Sequence, residues 1–213
     1  FVGIITRVLP TSTFDRPGNR EGRFRRVELA DETGRVRVVL WNDKVDSVDA
    51  AKKGEYIQII GGQVRRGLRG DLELHIGAYG QANILAEPPS QIQPPPLTLT
   101  KINELSPNMS EINVLARVTH VGQSREFRRF SGEVGRVLDL SLVDDSGSVK
   151  LAVWNDHVDL IESLSKGTVI LIEGAYAREV EQTINLNLGN DGSITINPEM
   201  AGVENLPMLE EET

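Results

Sequence analysis

The chain has 213 residues, 39% hydrophobic and 25% charged, with 20 Gly, 10 Pro and no Cys, which fits one or two globular domains and excludes collagen, disulfide scaffolds and wholly disordered chains. Without cysteine there is neither a disulfide nor a thiolate metal site, and three scattered histidines, His75, His120 and His157, fall short of the about four ligands a structural zinc centre takes. The net charge of −8 argues against a polyanionic partner only if it is evenly spread, and it is not: residues 1–86 carry 14 Lys and Arg against 11 Asp and Glu, whereas residues 199–213 carry five acidic groups and no basic one. No long apolar run and no basic leader is present, so no membrane association is expected, and a start at Phe1 without Met reads as a fragment of a longer chain.

Residues 2–65 match residues 115–178 at a constant offset of 113, with 21 identities in 64 positions and no gap. A period this long, present twice, describes a duplicated domain and not a solenoid. The expected organisation is a first domain over 1–86, a Pro-rich linker over 87–100 that is extended and semi-rigid, a second domain over 101–198, and an acidic, flexible tail over 199–213.

In chain order, each copy opens on a strand, then a loop (Pro10–Arg23; Gln123–Arg136), then a second strand carrying Val27 and Leu29, or Leu138, Leu140 and Leu142. Asp31-Glu32-Thr33-Gly34 and Asp144-Asp145-Ser146-Gly147 are tight-turn sequences leading into a third strand, Val36/Val38/Leu40 and Val149/Leu151/Val153, with the period-two alternation of a strand that has one dry face. Asn42-Asp43 and Asn155-Asp156 predict helix N-caps for 44–52 and 157–165, ended by Gly54 and Gly167. Two more strands follow, near 55–64 and 71–79, and near 168–177 and 182–189. Five strands with a helix between the third and fourth fit an all-β architecture of two tandem Greek-key barrels of the oligonucleotide/oligosaccharide-binding (OB) type.

Parity on the third strand sets Arg35, Arg37, Val39 and Trp41 on the face opposite the core, and Lys150, Ala152 and Trp154 on the equivalent face of the second copy. The only two tryptophans thus occupy one repeated outward position, each four residues after a cation. A strand-end Trp can equally plug the barrel or pack under the helix, but a flat ring beside a positive charge suits stacking on an unpaired base with its phosphate neutralised nearby. Around this face the first copy offers Asn42, Phe14, Arg16, Arg20, Arg23 and Arg26, and the second Asn155, Phe127, Arg128, Arg129 and Arg136. The loop between strands four and five brings Arg65, Arg66 and Arg69 in the first copy, guanidiniums that fork onto phosphates or lie on bases, against Arg178 with Glu179 and Glu181 in the second. The first barrel is therefore expected to bind single strands more tightly.

Catalysis is not indicated. The paired acids Asp31/Glu32 and Asp144/Asp145 belong to turns, no Walker-type Gly-rich loop with its Lys is present, the histidines read as ordinary surface or strand residues, and no nucleophile comes with a base and an orienting group. Neither a cofactor nor a bound metal is expected.

The block Leu29-Ala30-Asp31-Glu32-Thr33-Gly34 through Trp41-Asn42-Asp43 and Val45-Asp46, its second copy, and the lead-in Ile102–Met109 resemble the tandem DNA-binding domains of the replication protein A family, particularly its archaeal single-chain forms. The resemblance covers about 1–86 and 101–198. It implies binding of single-stranded DNA in replication, repair and recombination without catalysis, with Trp41 and Trp154 as stacking aromatics and Arg37 and Lys150 as their cations. It also implies a cytoplasmic place at the archaeal nucleoid, a monomeric fragment, and polymerase, primase or repair proteins as further partners. The family's second stacking aromatic, in the loop between strands four and five, has no counterpart there. An RNA-binding barrel and a protein-interaction adaptor are the alternatives.

Overall fold

A computed structural model describes the chain except residues 18–19, 68–71, 88–91, 94, 129–131 and 210–213, and describes only the backbone of Arg20. The candidates Arg69 and Arg129, and the side chain of Arg20, lie outside the described residues. The chain divides into two compact units, residues 1–96 and residues from 97 onward.

The first unit contains β1 (Val2–Val8), β2 (Ser12–Arg16), β3 (Arg20–Asp31), β4 (Gly34–Trp41), a 3-10 helix (Asn42–Val48), β5 (Tyr56–Ile60), β6 (Gln63–Arg66), β7 (Leu72–Ile76) and β8 (Gln81–Leu85). β1 pairs with β3 and β5, β3 with β4, β4 in parallel with β7, and β7 with β6. β5 and β6 are two halves of one strand bent at Gly61, whose φ of 64° is open to glycine at no steric cost, so the ring of strands closes. Inside it, Val27, Leu29, Val38, Leu40, Ile57 and Ile76 are all fully buried, the period-two face read from the sequence.

The second unit repeats the plan with β9 (Ile112–Val121), β10 (Arg125–Arg128), β11 (Val134–Val143), β12 (Ser148–Trp154), α1 (His157–Ile161), β13 (Val169–Val180), β14 (Thr183–Leu188) and β15 (Ser193–Ile196). The ring runs β9, β11, β12, β14, β13 and back to β9, with β12 and β14 parallel. Its β13 is continuous, and the bend of the first unit survives as a pairing shift at Gly174, φ 75°. Each unit is thus a five-stranded OB barrel with additional strands.

The additions correct several expectations. The loops expected at 10–23 and 123–136 contain β2 and β10, which pair with lengthened β3 and β11 as twisted hairpins. A further strand, β8 or β15, follows the last expected one. The helices are shorter than read: a 3-10 helix in place of 44–52 and five residues in place of 157–165. Asn42 and Asn155 are not N-caps. Both take left-handed backbone, φ 55°, and their Oδ1 atoms accept the Arg23 and Arg136 backbone N–H at 3.4 Å, pinning the strand end to β3 or β11.

Neither the linker nor the tail is free where described. Ile92 is buried, Pro95 O accepts from Arg35 at 3.4 Å, and Leu97 and Leu99 pack within the second unit. There they join Met200, Val203 and Leu206 over Leu115, Val169 and Leu171, the outward side chains of β9 and β13, while Arg117 Nε donates to Pro207 O at 2.8 Å. The tail's acidity hid this apolar spacing.

The turn acids are structural. Asp31 Oδ1 accepts Thr33 N–H (2.8 Å), Thr33 Oγ1 (2.6 Å) and Gly34 N–H (3.2 Å), and Asp144 Oδ1 accepts the equivalent groups of Ser146 and Gly147 while its Oδ2 takes Ile102 N–H at 2.9 Å. Burial pushes the Asp144 carboxyl up, and the Ser146 hydroxyl with the N–H groups of Ile102, Ser146 and Gly147 outweighs it, so the net shift is down. The carboxylate's contribution is therefore present above its unfolded-state value and is lost as the pH falls through the lowered folded-state one. Asp144→Ala is expected to destabilise the second unit by about 1–3 kcal/mol, read from thermal melts.

Candidate nucleic-acid interface

On the outer face of the first barrel, register places Phe24 opposite Trp41, then the row Arg26, Val39, His75 and Gln63, then the row Glu28, Arg37, Glu73 and Arg65 across β3, β4, β7 and β6. Trp41 is half-buried on this face, not inside the barrel. Phe14 meets it edge-on (centroids 5.6 Å, 88°) and Phe24 tilts against it (5.3 Å, 44°). Phe14 lies directly across from Gly22, where an added Cβ would come within 2.4 Å of its ring. The small residue lets the ring lie flat over the strand and reach the indole.

The Trp41 indole Nε1–H donates to His75 Nδ1 at 3.0 Å, with the two ring planes 24° apart. The ring centroids are 5.7 Å apart. Both rings line a cleft of about 420 Å³ together with Phe14, Arg16, Arg65 and Tyr79. Tyr79 is fully exposed at the rim. Arg16 lies 5.5 Å over Phe14, and Arg65 donates to Gln63 Oε1 at 2.8 Å while remaining exposed.

Other candidates are placed differently from the sequence expectation. Arg37 does not stand in solvent beside Trp41; its side chain is 9% exposed and ion-paired with Glu73 at 3.5 Å. Val39, on the same outward face, is buried. Arg23 pairs with Asp46 at 2.6 Å, tying β3 to the 3-10 helix, and Arg26 lies 4.7 Å over the Phe24 ring. Arg66 is exposed on β6.

The second barrel repeats the core of the site with other polar groups. Phe127 meets Trp154 edge-on (5.4 Å, 88°) and sits across from Gly135, as Phe14 does from Gly22. The Trp154 Nε1–H points at Asn187 Oδ1 at 3.4 Å, since Asn187 holds the register position of His75 and Asn185 that of Glu73. Lys150 is exposed beside Asn185, Arg128 is exposed at the end of β10, and Arg136 pairs with Asp159 and, at 2.9 Å, with Glu162. Tyr176, half-buried on β13 across from Asn187, carries Arg178 over its ring at 5.2 Å.

Sequence reasoning therefore missed three groups. His75 reads as an ordinary strand residue until the parallel pairing of β4 with β7 brings it beside Trp41. Tyr79 closes the last strand expected from the sequence, but β7 ends at Ile76 and leaves it in the following loop at the cleft. Tyr176 was within reach, because outward parity on its strand puts it with Arg178 and opposite the buried Ala175 and Ala177. Each unit thus has a second aromatic near its tryptophan, outside the loop between strands four and five. Among the described residues no cluster of His, Asp and Glu could hold a metal ion, and no helix is long and apolar enough to cross a membrane.

Two OB barrels in tandem, each with an outward aromatic site at the end of the same strand, define the chain as a tandem OB-fold protein. Residues 1–79 match the model of the OB-fold nucleic acid binding domain of the tRNA anti-codon type. The chain is 32% identical to Replication factor A of Methanothermobacter thermautotrophicus, an alignment covering 99% of the chain and 26% of that protein. It is 31% identical over 94 residues to the single-stranded DNA binding protein Ssb of Saccharolobus solfataricus, covering 44% of the chain and 61% of that protein. A solved replication protein A heterotrimer bound to single-stranded DNA superposes on 97% of the chain and 50% of its own at a TM-score of 0.73 and 18% identity, a likeness of fold. The chain resembles the replication protein A family along nearly its whole length, and it spans about a quarter of the length of the archaeal replication factor.

Proposed function

We propose that the chain is a non-catalytic, sequence-tolerant binder of single-stranded DNA, acting in replication and, within the same reading, in repair and recombination. The observation that carries it is the open cleft of the first barrel, which the hydrogen-bonded Trp41 and His75 rings line together with the cations Arg16 and Arg65. Stacking on such rings accepts any base, because every base has a π-face, and it contributes roughly 1–3 kcal/mol per base. Trp154 with Tyr176, and Lys150 with Arg178, support the same role for the second barrel. Polymerase, primase or other replication proteins are further expected partners, drawn from the resemblance to replication protein A.

The test is an equilibrium titration with oligo-dT followed by tryptophan fluorescence. Quenching is expected, with affinity falling by about 0.7 log units per log unit of salt for each phosphate neutralised. An absence of quenching together with a flat salt response would overturn the reading. Competition by oligo-U more effective than by oligo-dT would shift the assignment from DNA to RNA.

A further inference from the structure

We propose that His75 is a positioning residue for Trp41: by accepting the indole N–H it holds the ring in the orientation a base stacks on, through a chain of polar groups found in the first unit and replaced by amides in the second. The proposal rests on the single-strand binding described above and deepens it.

A tryptophan at a strand end turns about two side-chain bonds, and the neighbours Phe14 and Phe24 restrict it only by shape. The directional restraint is the 3.0 Å bond from Trp41 Nε1–H to His75 Nδ1. For Nδ1 to accept, the imidazole must be neutral and carry its proton on Nε2, which lies 3.2 Å from Glu73 Oε2. Glu73 therefore selects the tautomer that Trp41 needs. Glu73 is itself held, since its other oxygen is 3.5 Å from Arg37 and both side chains are almost fully buried. The order Arg37, Glu73, His75, Trp41 follows from the parallel register that sets Arg37 beside Glu73 and Val39 beside His75. Burying the Arg37 and Glu73 ion pair costs desolvation, and fixing an imidazole is a use that explains its place.

A protonated imidazole has N–H on both nitrogens and cannot accept from the indole. The charged and titratable groups around His75 are Glu73 on its own strand, Arg37 on β4, Arg26 in the same outer row on β3, Arg65 on β6, Arg16 on β2 and Tyr79 in the following loop. In the second unit the acceptor is an amide, Asn187 Oδ1, and the neighbours are Asn185 and Lys150, so no proton controls Trp154.

The experiment uses the full chain carrying Trp154→Phe, so that Trp41 is the sole indole. His75→Leu keeps bulk and removes the acceptor, and is expected to weaken oligo-dT binding about three- to tenfold, the loss of one oriented hydrogen bond. His75→Asn supplies the acceptor used by the second unit and is expected to stay within about twofold of its parent. In the chain with both tryptophans, His75→Leu is expected to move the Trp41 indole N–H proton resonance and to leave that of Trp154 in place. Binding unchanged by His75→Leu, or a Trp41 resonance that His75→Leu leaves in place, overturns the proposal. If Trp41→Ala weakens binding while His75→Leu does not, the positioning role alone fails; if neither does, the stacking reading fails first.

Discussion

Trp41→Ala lowers affinity for oligo-dT by about 1–3 kcal/mol, roughly five- to 150-fold, and Trp154→Ala lowers it less. The size follows from what the substitution removes: the indole that lines the cleft and is bonded to His75, and the ring that Phe14 meets edge-on. The ranking follows from the groups around each indole. The Trp41 cleft has the guanidiniums of Arg16 and Arg65 and the fully exposed ring of Tyr79. At the second site the strand end beyond Arg178 carries Glu179 and Glu181, both exposed, and the β14 to β15 connection has Asn190 and Asp191 where the first unit has Ala78 and Tyr79. Carboxylates near a phosphate track oppose binding, and the effect grows as salt is lowered. Titrations of both variants at two salt concentrations check the order, and a larger loss from Trp154→Ala at either salt contradicts it. Tyr79→Ala belongs in the same series, because a ring that contacts nothing in the free protein shows its contribution only in the complex.

The barrels were legible because their signals are local and duplicated. Alternating Val27/Leu29, Val36/Val38/Leu40 and Ile57/Ile59 recur one offset later, and a barrel interior needs just that alternation. Parity likewise placed Trp41 and Trp154 outside. What parity cannot show is who stands beside an outward residue on the neighbouring strand. Arg37 read as a cation for phosphate because its partner Glu73 is 36 positions away in sequence and adjacent only through the parallel pairing of β4 with β7. The same pairing hid His75. Arg23 and Arg136 were read as loop cations, yet the short helices bring Asp46 and Asp159 to them, so much of their charge is already answered within the fold. The helices were overread because Asn-Asp is a good N-cap pair, whereas here each Asn takes left-handed backbone and spends its side chain on the preceding strand.

The tail was overread in the opposite sense, and its correction carries the second large effect. Leu206→Ala is expected to destabilise the second unit by about 2–3 kcal/mol, and removal of residues 199–213 by at least as much. Leu206 is 6% exposed and lies with Met200 and Val203 on Leu115, Val169 and Leu171, which point away from the barrel interior. Without that cover, Leu115, Val169 and Leu171 keep only Leu97 and Leu99 over them, at about 25 cal/mol for each Å² of apolar surface uncovered. Arg117 also loses the Pro207 carbonyl and keeps that of Gly167. The Glu204 carboxylate accepts the Gly202 N–H at 3.0 Å within the segment that carries Leu206 and is left intact in the control; the charge-neutralising set Glu210, Glu211 and Glu212 to Gln is expected to leave the melting temperature in place. Denaturant melts of the second unit, followed by Trp154 emission in a chain carrying Trp41→Phe, separate the two readings. An unchanged midpoint in Leu206→Ala restores the free tail, and a lowered midpoint with an unchanged slope shows that a packed layer was lost and the barrel beneath still unfolds as one unit.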